Sequence, residues 1–332
     1  MRKLALIYAS LFSIAAFAGS LEKDYQKIAS KFDVPIEVRN LSDVSNQDYW
    51  NAFLNKNEAY IKHITDMGKD KSLEKQAKQV LLETPKFYPQ YSAFVDRSMQ
   101  NFCDSLLTEL GAPADGPKCS IHVIYDENVD ANAVLTEDGF AICLYSGLFT
   151  QPGLTRDMLL GIVAHQYAHG ALLHSERDIY ARIRRENGTL LGNIATYTLG
   201  FALIALAAPD YSNENISFAA ESYYEHENAE RIEREIAKKE AIYAYNYSVN
   251  QEYEADLAAF RFMQFLGKED AYIEALKFLG ADTDLFYANN DAPRPTVASR
   301  IAFLKYMEEH PEIRNTENDK LRKKRMKKLI VY

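Results

Sequence analysis

His165 and His169 stand four apart in the run Val163-Ala164-His165-Gln166-Tyr167-Ala168-His169-Gly170. The surrounding apolar residues read as helix, and positions i and i+4 share one helical face. Both imidazoles can therefore hold a single metal ion. In the hydrolytic motif H-E-x-x-H, the residue after the first histidine is a glutamate that takes a proton from water beside the metal. Here that position is Gln166. An amide can hydrogen-bond such a water but cannot accept its proton at any ordinary pH. General-base help is typically worth roughly 10²–10⁴ in rate, so Gln166 implies a large loss of turnover with metal coordination left intact.

A third ligand is offered by Gln251-Glu252-Tyr253-Glu254-Ala255-Asp256. Glu252 and Asp256 are again four apart, so they share a face of a second helix. A two-histidine helix packed on a carboxylate-bearing helix builds a His₂Glu zinc site with the fourth position open. Asp256 is then placed to accept a hydrogen bond from a ligand imidazole and fix its tautomer. Ile162, Val163, Ala164 and Ala168 make the histidine helix a core element, where imidazoles need partners. His174 is nine positions after His165, at another azimuth, and reads as a packing or hydrogen-bonding histidine.

These motifs, with others in the same order, resemble a family of zinc peptidases. The family includes the HtpX heat-shock protease, the CaaX prenyl protease, the mitochondrial Oma-type protease and the periplasmic β-barrel-assembly-enhancing protease. The resemblance covers roughly 94–307. It is carried by Asn132-Ala133, Asp138-Gly139, Tyr145-Ser146-Gly147-Leu148, the His165 and His169 helix with His174-Ser175, Glu252 with Asp256, and Pro295 with Arg300-Ile301-Ala302-Phe303-Leu304. It implies one zinc ion on His165, His169 and Glu252, with Asp256 behind a ligand. It implies an α+β, mainly α fold: a helical zincin-like peptidase domain with a small β-sheet edging the active-site cleft. It also implies that Phe140, Ala141, Ile142, Cys143, Leu144 and Tyr145 form the edge strand on which an extended polypeptide substrate pairs by β-augmentation. Arg294 stands where the family often has a histidine near the metal. Always protonated, it cannot be a ligand; a contact to a substrate carbonyl oxygen or carboxylate, a pair with Asp291 and a plain surface position all remain open. Two activities follow from the resemblance. One is a metalloendopeptidase acting on unfolded or envelope proteins, impaired by Gln166; the other is a natural pseudopeptidase that binds zinc and clients without cutting them.

The elements that must position these residues follow from periodicity and punctuation. Helices are expected over 47–67, 71–82 and 91–110, the last stopped by Gly111. Strands are expected over 120–125 and 140–145, the second after the turn Glu137-Asp138-Gly139. A long helix capped by Thr155 runs to Asn187-Gly188 and carries the histidines. Further helices cover 246–266, ended by Gly267, then 271–279, then a stretch from its cap Thr296 to 309.

Arg2 and Lys3, the apolar run 4–17 and Ala16-Phe17-Ala18 read as a signal peptide over 1–18 in preference to an uncleaved membrane anchor, which implies an exported protein, periplasmic or extracellular, with the periplasm expected. An N-terminal helical region over 19–90 precedes a metallopeptidase-like domain over 91–310. That domain contains a polar helical insertion, 209–246, and is followed by a basic tail, 311–332. The uncharged stretch 189–208 reads as a buried or membrane-surface helix in preference to a span. The seven Lys and Arg of 320–328 suit a solvated tail, an anionic lipid surface or the protein's own acidic body. A net charge of −9 excludes nucleic acid as the main partner. Cys103 and Cys119 read equally as a disulfide or as free thiols, and Cys143 as a buried thiol.

Overall fold

A computed structural model describes residues 23, 25–29, 44–69, 86–88, 97–180, 249–289 and 295–310, with side chains described for 250–280 of the stretch 249–289. The expected signal peptide, the helix over 71–82, the stretch 189–208, the insertion 209–246, the basic tail and Arg294 lie outside these residues.

The fold is α+β and mainly α. In chain order it runs α1 (Asn46–Gly68), α2 (Arg97–Leu110), β1 (Lys118–Ile124), β2 (Ala131–Leu135), β3 (Gly139–Tyr145), α3 (Ser146–Thr150), α4 (Arg156–Ala171), α5 (Val249–Phe265), α6 (Glu269–Asn289) and α7 (Val297–Glu309). Local chemistry sets several starts. Ser45 and Asp48 form a reciprocal capping box at α1, with bonds of 3.2 and 2.8 Å. Thr155 and Thr296 accept the N–H groups of Met158 and Ser299 and so cap α4 and α7, as their sequence positions predict. Gly111 and Gly267, at φ 71° and 67°, follow the last residues of α2 and α5.

The sheet order is β1-β3-β2. β1 runs parallel to β3, with Lys118 opposite Gly139, and β2 runs antiparallel to it, with Ala131 opposite Leu144. Phe140–Tyr145 is therefore the middle strand, which corrects the expectation that Phe140, Ala141, Ile142, Cys143, Leu144 and Tyr145 form a substrate-pairing edge. The physical reason is that both of its hydrogen-bonding sides are already used. Its unbroken apolar run, buried from Phe140 to Tyr145, suits a strand covered on both faces. The edge beside the histidine helix is instead β2.

α4 is buried on every side from Met158 to His169 and packs against α5, α6 and β2. Two glycines allow that closeness. A Cβ at Gly161 would stand 2.8 Å from the Tyr272 ring, and one at Gly170 would stand 2.4 Å from the ring of Phe140. Trp50 of α1 braces the other side, its ring centre 4.7 Å from Tyr167 and 5.2 Å from Phe262, with its N–H donating to the Leu110 carbonyl. No described helix is long and apolar enough to cross a membrane.

The long helix expected to run on from Thr155 is broken. Its last regular residue is Ala171, Leu173 has φ 54°, and helical backbone restarts over 174–180. Cys103, Cys119 and Cys143 are all free thiols.

Gly170→Ala removes a poor helix former, worth about 1 kcal/mol, but drives a methyl into the buried Phe140 ring. The expected net result is a loss of about 1–3 kcal/mol in urea unfolding, partly recovered by Phe140→Leu.

Candidate metal centre

α4 and α5 bring His165, His169 and Glu252 together. Among the described residues these three form a buried group whose ligand atoms all lie within 4.8 Å of one another. Nε2 of His165 is 3.1 Å from Nε2 of His169. Glu252 reaches both, at 3.5 Å from His165 and 3.8 Å from His169. Four ligands at zinc's usual distances around a tetrahedron stand about 3.3 Å apart, so the spacing and the N/N/O donor set fit a zinc ion.

The far side of each ring also fits. Nδ1 of His165 lies 3.1 Å from the Asp256 carboxylate, leaving its Nε2 free for metal. Asp256 also accepts from the Tyr272 hydroxyl at 2.7 Å, and from Arg300 Nε and a terminal guanidinium nitrogen at 2.8 and 2.5 Å. Burial alone would raise the pKa of Asp256. The guanidinium of Arg300, helped by His165, overcomes it and holds the carboxyl well below the usual range. Arg300 is also 3.8 Å from Glu252, so one cation faces two carboxylates.

His169 is held differently. Its Nδ1 faces Nδ1 of His174 at 2.9 Å, and Nε2 of His174 faces Glu254 at 3.0 Å. Burial lowers the pKa of His174 to about 4 against the opposing effect of Glu254, so this ring is neutral near pH 7. Arg177 donates to Glu254 at 3.1 Å and to the Tyr60 hydroxyl at 2.6 Å. Gln251 donates to the backbone carbonyl of His174 at 3.0 Å. The αL residue Leu173 that turns the chain here costs about 1–2 kcal/mol.

Gln166 lies between the ligands and β2. Its amide nitrogen donates to the Ala131 carbonyl at 2.8 Å. Its Oε1 is buried with no hydrogen-bond partner among the described residues. Gln166 and His165 line a narrow pocket with Asp130, Glu252, Tyr272 and Arg300.

A family model, Peptidase family M48, matches residues 94–314, well over half of the chain. The chain belongs to peptidase family M48. Membership supports a metallopeptidase-type function, and the family depends on zinc. No curated protein matches the chain. Among solved structures, the crystal structure of S. mikatae Ste24p is similar at 18% identity and a TM-score of 0.31, over 91% of this chain. The chain spans 65% of that protein's length.

Several groups around this M48 site have no assigned role in the sequence reading. Glu254 sits in the quoted acidic run, two positions after Glu252, on what a one-faced helix would turn to solvent. It is buried because α5 is enclosed on all sides. The available signal was the length of the acidic run itself, whose carboxylates fall on more than one face of the helix. Tyr272 and Arg177 carry no comparable mark. Arg300 appears in the sequence only as part of a longer motif.

Arg300→Met leaves Asp256 buried without its cation, and the expected cost is about 3–5 kcal/mol in urea unfolding of the metal-free protein. Adding Asp256→Asn should recover a large part of that loss, and equal instability of single and double variants would contradict the pairing.

Proposed function

We propose that this chain is an exported, periplasmic zinc metalloendopeptidase-type protein that takes unfolded or envelope polypeptides in extended form and cleaves them poorly. Zinc would be held by His165, His169 and Glu252, with membrane-surface contact through 189–208 or the basic tail. The observation that carries the reading is Gln166, buried beside the ligand group and bonded to the edge strand. When bound, zinc supplies Lewis acidity, polarising a peptide carbonyl and acidifying water. The protein's own groups set the rest. Asp256 and His174 orient the ligand rings. A peptide that paired with β2 would displace donors the protein already places there, Gln166 on Ala131 and Phe87 on Leu135. Gln166 presents a carbonyl oxygen that can accept a hydrogen bond and cannot carry a proton away.

A second reading is a natural pseudopeptidase that binds zinc and client chains without turnover. The Gln166 bond to Ala131 favours it, because a carboxylate has no proton to donate to that carbonyl. In this reading the amide is fitted to its place.

The deciding comparison is this chain against Gln166→Glu, each assayed for zinc content and for cleavage of a reduced, unfolded protein. Zinc in both with cleavage gained only by the glutamate form is the expected result, and the gain should be about 10²–10⁴-fold. Zinc and client binding in both with cleavage in neither would favour the pseudopeptidase. No zinc in either would sink both readings, and strong chelator-sensitive cleavage by the unsubstituted chain would overturn the role given to Gln166. His165→Ala should abolish zinc binding in either case. The Glu form should also lose about 1–3 kcal/mol of metal-free stability, since two acceptors then meet at Ala131.

A further inference from the structure

We propose that His174 is a positioning residue for His169, holding it in the tautomer whose Nε2 lone pair faces His165 and Glu252. The proposal rests on these three residues forming a metal site. His174 follows His169 by five positions. On an unbroken helix five residues advance about 500°, which would point the two rings some 140° apart. The break at Leu173 changes this. Its N–H bonds to Gly170 at 3.1 Å, its carbonyl accepts from Arg177 at 2.9 Å, and its φ of 54° re-aims the next residue. The chain thereby carries an αL leucine at the point where the turn brings Nδ1 of His174 to 2.9 Å from Nδ1 of His169.

The direction of each bond in this chain follows from its far end. Glu254 is ion-paired with Arg177 at 3.1 Å and is an acceptor. It takes the N–H from Nε2 of His174, at 3.0 Å. Arg177 already supplies the positive charge that Glu254 needs, so His174 gives it a single N–H and its Nδ1 is left to accept. The only proton able to fill the 2.9 Å contact is one on Nδ1 of His169. That leaves Nε2 of His169 unprotonated, 3.1 Å from His165 and 3.8 Å from Glu252. His165 obtains the same result directly from Asp256. For His169 the carboxylate is set one ring further out, beyond His174. His174 and Glu254 are both buried to within 1% of full enclosure, so water does not compete for these bonds.

The test reads the tautomers first, in the unsubstituted, metal-free full chain labelled with ¹⁵N-histidine. Long-range ¹H–¹⁵N spectra should place the proton of His169 on Nδ1 and that of His174 on Nε2. The reverse assignment would overturn the proposal whatever any variant does. Zinc affinity by chelator competition comes second. His174→Phe keeps bulk and removes the acceptor, and should weaken zinc binding roughly 10–100-fold while His169 populates both tautomers. His174→Gln keeps an acceptor and a donor, and should stay within about threefold of the unsubstituted chain. Equal losses in the two variants, or full affinity in His174→Phe, would reduce His174 to packing. If His174→Phe does not fold, His174→Gln and the tautomer assignment decide the matter alone, a loss of tenfold or more in His174→Gln counting against it.

Discussion

The interior of the α4–α5 pair is apolar and closed, and the chain places His165, His169, Glu252, Glu254 and Asp256 inside it. Buried polar groups without partners cost several kcal/mol, and buried charges cost more. Much of the surrounding architecture answers that constraint. α7 supplies Arg300 to Asp256 and Glu252, α6 supplies Tyr272 to Asp256, and the restarted helix after Leu173 supplies His174 and Arg177 to Glu254. α1 contributes Tyr60 to Arg177. Elements far apart in the sequence are thus tied to one buried polar cluster. Removing a single member leaves a charge or donor stranded, so the site and the fold share much of their stability.

The parts of this arrangement that were legible in the sequence are the parts with a short period. His165 with His169, and Glu252 with Asp256, announce themselves because a helix repeats every 3.6 residues. The caps at Thr155 and Thr296 and the stops at Gly111 and Gly267 are equally local. What was not legible depends on the third dimension. Nothing in Phe140–Tyr145 alone says that both of its sides will be paired, and a five-residue strand such as Ala131–Leu135 carries little pattern of its own. The expected edge was therefore placed one strand too far in. The break at Leu173 puts a leucine, not a glycine, in the left-handed position, while Gly170 still lies within the helix, and so the continuous helix was the natural expectation. The break is accompanied by tertiary bonds between Glu254 and both His174 and Arg177, and from Gln251 to the His174 carbonyl, which no window of sequence contains.

The corrected sheet order alters how Gln166 is understood. With β3 in the middle, the strand beside the ligand helix is β2, and antiparallel pairing sends alternate β2 carbonyls away from β3. Among the described residues, Ala131 accepts from the Gln166 side chain and Leu135 from the backbone N–H of Phe87. An extended peptide laid on this edge would meet donors already in place at both ends. The edge is thus satisfied at both ends by the protein itself.

Gln166 is consequently more than a glutamate lacking a charge. Glutamate at this position would bring two acceptor oxygens to a carbonyl that wants a donor, whereas the amide presents one donor and one acceptor and can face both ways. Its nitrogen is bonded to β2 and its oxygen is left for whatever occupies the pocket with His165, Glu252, Tyr272 and Arg300. The same side chain therefore couples two properties that a hydrolytic site keeps separate. It fastens α4 to β2, and it gives the pocket a hydrogen-bond acceptor that cannot be protonated at ordinary pH. The ligand set depends on neither, because Asp256, Arg300, His174 and Glu254 support His165 and His169 from the opposite side. Coordination and proton transfer would thus fall to different residues, and a single amide could remove the second without disturbing the first.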